Sequence, residues 1–156
     1  MLMLSHLNFD LPVLRLTDSV AKALKTFRIQ GVNALAVVEN KTFLGLISSE
    51  VLSQALAPEQ TLSDLKEHFS AFHMEEEEDV LASLPWLDES GVDVIAITNA
   101  DGLFRGYLTK SAVGNLLLNS GVENKNGGII RIPFQASRDS LSTIIRIIEE
   151  ENGFVV

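Results

Sequence analysis

The chain has 156 residues, 46% hydrophobic and 21% charged, enough apolar content to bury a core in one compact unit or two small ones. Basic minus acidic residues, 12 − 21 = −9, argue against both nucleic acid, which needs a clustered basic face, and an anionic membrane surface. The absence of cysteine rules out a disulfide framework, a thiolate metal site and a cysteine nucleophile.

The apolar stretch Met1 to Leu16 is broken by His6, Asp10, Pro12 and Arg15 and has no basic leader, so it does not read as a signal peptide. No stretch approaches the ~18 consecutive apolar residues of a membrane span, and a cytoplasmic location is expected. Val20, Ala23, Leu24 and Phe27 then fall on one face at helical spacing. Thr17 or Asp18 is placed to cap that helix, and Gly31 to end it in the left-handed conformation. Asn33 to Val38 reads as a buried strand, Glu39-Asn40-Lys41 as a polar turn, and Phe43 to Ser48 as the second strand of a hairpin. Ser49 to Leu56 reads as a short helix, and Pro58 to Leu65 as a linker that packs through Leu62 and Leu65.

The same order returns in a helix over Asp79–Ser90, strands over Asp93–Thr98 and Leu103–Thr109, and a helix over Lys110–Asn119. Pro85 should kink the first of these helices or delay its start, because it lacks a backbone donor. Asn124 to Gly128 is a polar, glycine-bearing linker. Beyond it Ile129–Pro133 reads as a strand, and Ser140–Glu151 as a helix carrying Leu141, Ile144, Ile145 and Ile148 on one face. Asp139 is placed to cap that helix and Gly153 to stop it, and Phe154–Val156 looks like the start of another strand.

The chain repeats itself. Val20, Leu24, Gly31, Val32, Ala36 and Val37 lie over Val80, Leu84, Gly91, Val92, Ala96 and Ile97 at an offset of 60 (91 − 31). After the turn the offset is 61 (104 − 43), which sets Phe43, Gly45, Leu46 and Ser48 over Phe104, Gly106, Tyr107 and Thr109. The one inserted residue falls in the turn, where an insertion costs least.

The repeated pattern, Gly31-Val32…Phe43-Leu44-Gly45-Leu46-Ile47-Ser48 and Gly91-Val92…Phe104-Arg105-Gly106-Tyr107-Leu108-Thr109, resembles the CBS domain family over roughly residues 10 to 119. The resemblance implies an α+β (mixed α/β) fold: two CBS-type β-α-β-β-α repeats packed as a pseudo-twofold pair, a Bateman module. Its domains are expected at 1–60 and 61–122. Residues 127–156 resemble the strand–helix–strand opening of an ACT domain, an amino-acid-sensing fold, and are too few for the rest of one; the alternative is a helix that closes the pair or forms a dimer contact.

CBS pairs commonly form homodimers and bind adenosine-containing ligands such as AMP, ATP or S-adenosylmethionine in the cleft between the domains. The resemblance therefore points to Leu14, Arg15, Val32, Asn33, Ala34, Leu35 and Ser48 in the first copy and Val92, Asp93, Val94, Ile95 and Thr109 in the second. In ligand-binding members the Ser/Thr is followed three residues later by an Asp that accepts from the ribose hydroxyls. Here Val51 and Ala112 occupy those positions, with Glu50 one residue away, and Ala36 and Ala96 replace a proline usual in the first strand. Ser48 and Thr109 are therefore either ligand contacts or caps of the helices that follow. Arg15, Arg28, Arg105 and Lys110 are the cations available to a phosphate.

Other chemistry finds little support. The run Glu75-Glu76-Glu77-Glu78-Asp79 lacks the glycine-bearing loop of a cation site and reads as a solvated helix start. His6, His68 and His73 are too dispersed for zinc, and Trp86 and Tyr107 read as core or interface residues. No phosphate loop, nucleophile elbow or catalytic constellation is present. The expectation is a regulatory ligand-sensing module that is not an enzyme and requires no cofactor, relaying occupancy to an ACT-like domain or a partner; the alternative is an assembly module with a degenerate cleft.

Overall fold

The computed structural model describes residues 3–55, 57–118 and 141–150. The chain divides into two compact units, Met1–Gly114 and Asn115–Val156. The first unit holds both repeated hairpins.

Its first helix, α1 (Val20–Gln30), buries Val20, Ala23 and Phe27. The cap is Ser19, not Thr17 or Asp18: its hydroxyl accepts from the Lys22 N–H at 3.2 Å. Asp18 is turned away from the helix start, accepting from the Arg15 N–H at 2.9 Å and pairing with Lys22 Nζ at 2.6 Å. Gly31, at φ +66°, ends the helix with its N–H on the Phe27 carbonyl. Strands β1 (Ala34–Glu39) and β2 (Thr42–Ser48) pair antiparallel through a two-residue turn at Asn40 and Lys41, both at positive φ, as a tight hairpin turn of matching twist requires. Helix α2 (Ser49–Ser53) follows, and a 3₁₀ turn over Leu62–His68 buries Leu62 and Leu65 in the linker.

The second copy opens with a strand that sequence patterning misses. Met74–Glu75 (β3) pairs parallel to β4 (Val94–Thr98), so the acidic run begins inside a sheet and is not simply a helix start. Pro85 acts as expected: Val80–Ser83 forms a 3₁₀ turn, and α3 (Leu84–Glu89) begins with the proline in its first turn, where no donor is lost. Strand β5 (Phe104–Thr109) pairs antiparallel with β4 and runs into α4 (Lys110–Leu117). Both hairpins carry a register shift at equivalent places, Val37/Val38 and Ile97/Thr98.

The copies exchange their leading segments. Leu14 pairs parallel with Val37 of its own hairpin, but Asn8, six residues earlier, pairs antiparallel with Tyr107 of the other copy. Reciprocally, β3 pairs within the second copy while Ser70 pairs with Leu46 of the first, with both N–H···O distances at 2.8 Å. The hairpin tips also meet: the Phe43 N–H donates to the Gly102 carbonyl at 3.0 Å and the Phe104 N–H to that of Lys41 at 2.8 Å. The result is a pseudo-twofold pair around one shared core, in which Leu14, Ala36, Val37 and Leu46 cluster with Val94, Ala96 and Tyr107.

In the second unit, Leu141–Glu150 forms helix α5, with Arg146 and Glu150 paired at 2.9 Å. The strands expected at 129–133 and 154–156, the linker at 124–128, and the cap and stop residues Asp139 and Gly153 lie outside the described residues.

Each crossing segment passes directly over a glycine. Gly45 has φ +150°, and a Cβ there would lie 2.6 Å from Phe69 Cβ and 3.1 Å from the Ser70 carbonyl. At Gly31 the conformation is equally glycine-like but the space is open. Gly45→Ala should therefore cost about 2–4 kcal/mol of unfolding free energy, from strain plus overpacking. Gly31→Ala should cost only about 1–2 kcal/mol, from strain alone. Urea denaturation of the two variants measures the difference.

Candidate ligand cleft between the two repeats

The start of β1 and the end of β2 lie at one end of the first hairpin, and β4 and β5 repeat this in the second copy. Backbone bonds tie these ends to the following helices: the Ser49 N–H donates to the Asn33 carbonyl and the Lys110 N–H to that of Asp93, both at 2.8 Å. Between the two copies at this end lies a cavity of about 560 Å³, lined by Asn8, Leu11, Gln30, Gly31 and Val32 and, from the second copy, by Asp93, Val94, Thr109, Lys110 and Ser111. That volume falls within the ~300–1,000 Å³ of small-molecule sites.

Four of the expected residues, Val32, Asp93, Val94 and Thr109, meet at this cavity. Asn33 lies beside it, its side chain reaching across to the second copy: Nδ2 donates to the Gly91 carbonyl at 2.8 Å and Oδ1 accepts from the Asp93 N–H at 2.9 Å. Leu14, Ala34, Leu35 and Ile95 are buried in the core, and Val92 packs partly buried against it. Arg15 lines a different cavity, of about 580 Å³, beside the β1–β2 turn with Lys41 and Phe104.

Both hydroxyls at the strand ends are helix caps. Ser48 Oγ accepts from the Val51 N–H at 3.3 Å, and Thr109 Oγ1 from the Ala112 N–H at 3.1 Å. Each hydroxyl keeps its own hydrogen as a donor, and Thr109 shares a 3.1 Å bond with Ser111 Oγ. Of the candidate phosphate cations, Lys110 lines the cleft, Arg105 pairs with Glu76 at 2.9 Å, and Arg28 is exposed on α1. Among the described residues no group of three His, Asp or Glu side chains is arranged to hold a metal ion. Phe72 stacks on Trp86 with ring centres 4.2 Å apart.

Sequence reasoning missed the chemistry of Tyr107. This fully buried side chain crosses from the second copy into the first, where its hydroxyl accepts from the Ala36 N–H and donates to the Pro12 carbonyl, both at 2.9 Å. A proline at position 36 could not make the first bond. The only sequence signal was that Tyr107 stands where the first copy has Leu46, one hydroxyl in an otherwise apolar register.

Residues 4–58 match the family model of the CBS domain. No curated protein matches the sequence. A CBS domain pair/ACT domain protein from Thermotoga maritima shares the fold with a TM-score of 0.68 at 17% identity, covering 78% of this chain and 99% of that one. The chain shares the fold of a CBS domain pair. A CBS domain-containing protein from Bacillus anthracis is 19% identical with a TM-score of 0.60, over 76% of this chain and 94% of its own. Another CBS domain pair, solved in complex with 5′-methylthioadenosine and S-adenosyl-L-methionine, is 18% identical with a TM-score of 0.59, over 76% and 97%. No helix among the described residues is long and apolar enough to cross a membrane.

Burial holds the Tyr107 phenol neutral, raising its pKa well above the ordinary 10.0 against a smaller lowering by the Ala36 N–H. A raised pKa means the folded state keeps a proton the unfolded state releases, so this contribution to stability is complete below pH ~10 and is lost as pH rises beyond it. Tyr107 is the sole tyrosine. Absorbance at the tyrosinate band should therefore stay flat through pH ~10–11 and rise only as the protein unfolds. Tyr107→Phe should cost about 1–3 kcal/mol in denaturant melts, since it leaves the Ala36 N–H buried without a partner.

Proposed function

We propose that this CBS pair is a regulatory ligand-sensing module that takes an adenosine-containing compound (AMP, ATP or S-adenosylmethionine) in the cleft between its two repeats. The observation that carries the reading is the cavity itself: apolar walls from Val32 and Val94, one carboxylate at Asp93, one ammonium at Lys110 and a hydroxyl at Thr109 converge where the copies meet. An adenosine compound presents matching groups, with a flat base for the walls, hydroxyl donors for the carboxylate and an anionic end for the ammonium. The neighbour of the same fold that holds 5′-methylthioadenosine and S-adenosyl-L-methionine supports this ligand class.

The remaining elements of the reading follow the resemblance. Two CBS repeats meet near residue 60, residues 127–156 open an ACT-like domain or contact a partner, and the module works as a cytoplasmic homodimer. Regulation requires that the ligand bind two arrangements of the repeats unequally, since equal affinity shifts nothing. A second reading, an assembly module without a ligand, is favoured by Val51 and Ala112 standing where ribose carboxylates are expected.

Thermal unfolding with AMP, ADP, ATP and S-adenosylmethionine separates the two. A ligand at ~100 times its dissociation constant adds ~2.7 kcal/mol, a shift of several degrees. A selective shift is expected; a flat response in a protein that still dimerises would establish the assembly module instead.

A further inference from the structure

The repeat sets the cavity residues Gly31, Val32, Asp93 and Thr109 against an equivalent set, Gly91, Val92, Asn33 and Ser48, and the two sets are chemically unequal. The inequality comes from one pair of equivalent positions, Asn33 and Asp93 (93 − 33 = 60). Asn33 carries both a donor and an acceptor, and it uses both on the main chain of the other copy, to Gly91 O at 2.8 Å and from Asp93 N at 2.9 Å. Its side chain therefore bolts the two strand openings together on that side. An ionised Asp93 has no hydrogen to donate, so it cannot make the mirror-image bond to the Gly31 carbonyl, which would repel it. On that side Gly31, Val32 and Asp93 remain walls of an open cavity of about 560 Å³.

We infer that each chain holds one adenosine ligand, in the Asp93 cleft alone, with the Asp93 carboxylate accepting from the ligand's hydroxyl donors while Asn33 keeps the equivalent cleft shut. The inference rests on the adenosine reading above. An acceptor-only carboxylate selects a partner with hydrogens to give, and the vicinal ribose hydroxyls supply two. Lys110, on the same wall, is positioned for the anionic end.

The test uses the intact protein and whichever of AMP, ATP and S-adenosylmethionine produces the largest thermal shift, together with the 2′-deoxy form of that compound. Calorimetry should give one equivalent per chain, with the deoxy form about tenfold weaker, the loss expected for one hydrogen bond to a charged group. Asp93→Asn can make the bolting bond and should weaken the parent ligand by at least about tenfold while removing the preference over the deoxy form. Should that variant fail to fold, amide shifts in the unaltered protein decide the matter: the Gly31 resonance should move on titration and that of Gly91 should not. Two equivalents per chain, a Gly91 response equal to that of Gly31, or an Asp93→Asn variant that binds as before would overturn the single-cleft assignment and leave the adenosine reading standing. No binding of any adenosine compound would overturn both.

Discussion

Two short segments must enter the sheet of the opposite copy before pairing with their own, and almost every other feature of the unit answers to that exchange. Asn8 bonds Tyr107 and Ser70 bonds Leu46, so a main chain lies flat against each hairpin. The residue beneath the passing chain has little or no room for a Cβ: at Gly45 one would clash with Phe69, and at Gly106, at φ +154°, one would crowd Asn8 and Phe9. The hairpin tips meet for the same reason: once each leading segment is held by the other copy, Thr42 and Leu103 are brought alongside. Neither copy can bury its own face alone, and the core that results is common to both.

Within this near-symmetric frame the two sides differ at a few positions. Tyr107 replaces an apolar residue and bonds the first copy through Ala36 and Pro12, so one side of the interface is held by buried polar contacts that the other lacks. Asn33 ties the strand openings together on one side, and Asp93 leaves a carboxylate facing a cavity on the other. A buried hydroxyl with both its bonds made adds specificity as well as stability, because any slip in register would leave the Ala36 N–H and the Pro12 carbonyl without partners. The cavity lies at the strand ends, beside Asp93, Val94 and Thr109.

Much of this was legible in the amino-acid order. Hydrophobic spacing and glycine placement located both hairpins, α1, α2 and α4, and Pro85 marked where the second copy's helix begins. Capping was legible only by type: the sequence offered Thr17 or Asp18, and the backbone placed Ser19 at the cap instead. Strand β3 was hidden because two residues at the head of an acidic run carry no periodicity; it exists because β4 offers an edge to pair with. The cleft was legible in part: Val32, Asp93, Val94 and Thr109 converge, whereas Arg15, assigned with them by analogy, lies beside the hairpin turn.

By itself the sequence determined the repeat, the local elements and the residue types at the strand ends, because these depend on periodicity, turn chemistry and neighbours close along the chain. Only the tertiary structure decided which copy each leading segment joins, that Tyr107 reaches Ala36 over 71 residues, and that Asn33 spans 60 to the Asp93 N–H. Those contacts bring together groups far apart in the chain, and their geometry is set by the packing of two sheets rather than by any local preference. The equivalent positions Asn33 and Asp93 differ for that reason: the amide finds a carbonyl and an N–H of the other copy within reach, a match no local pattern announces.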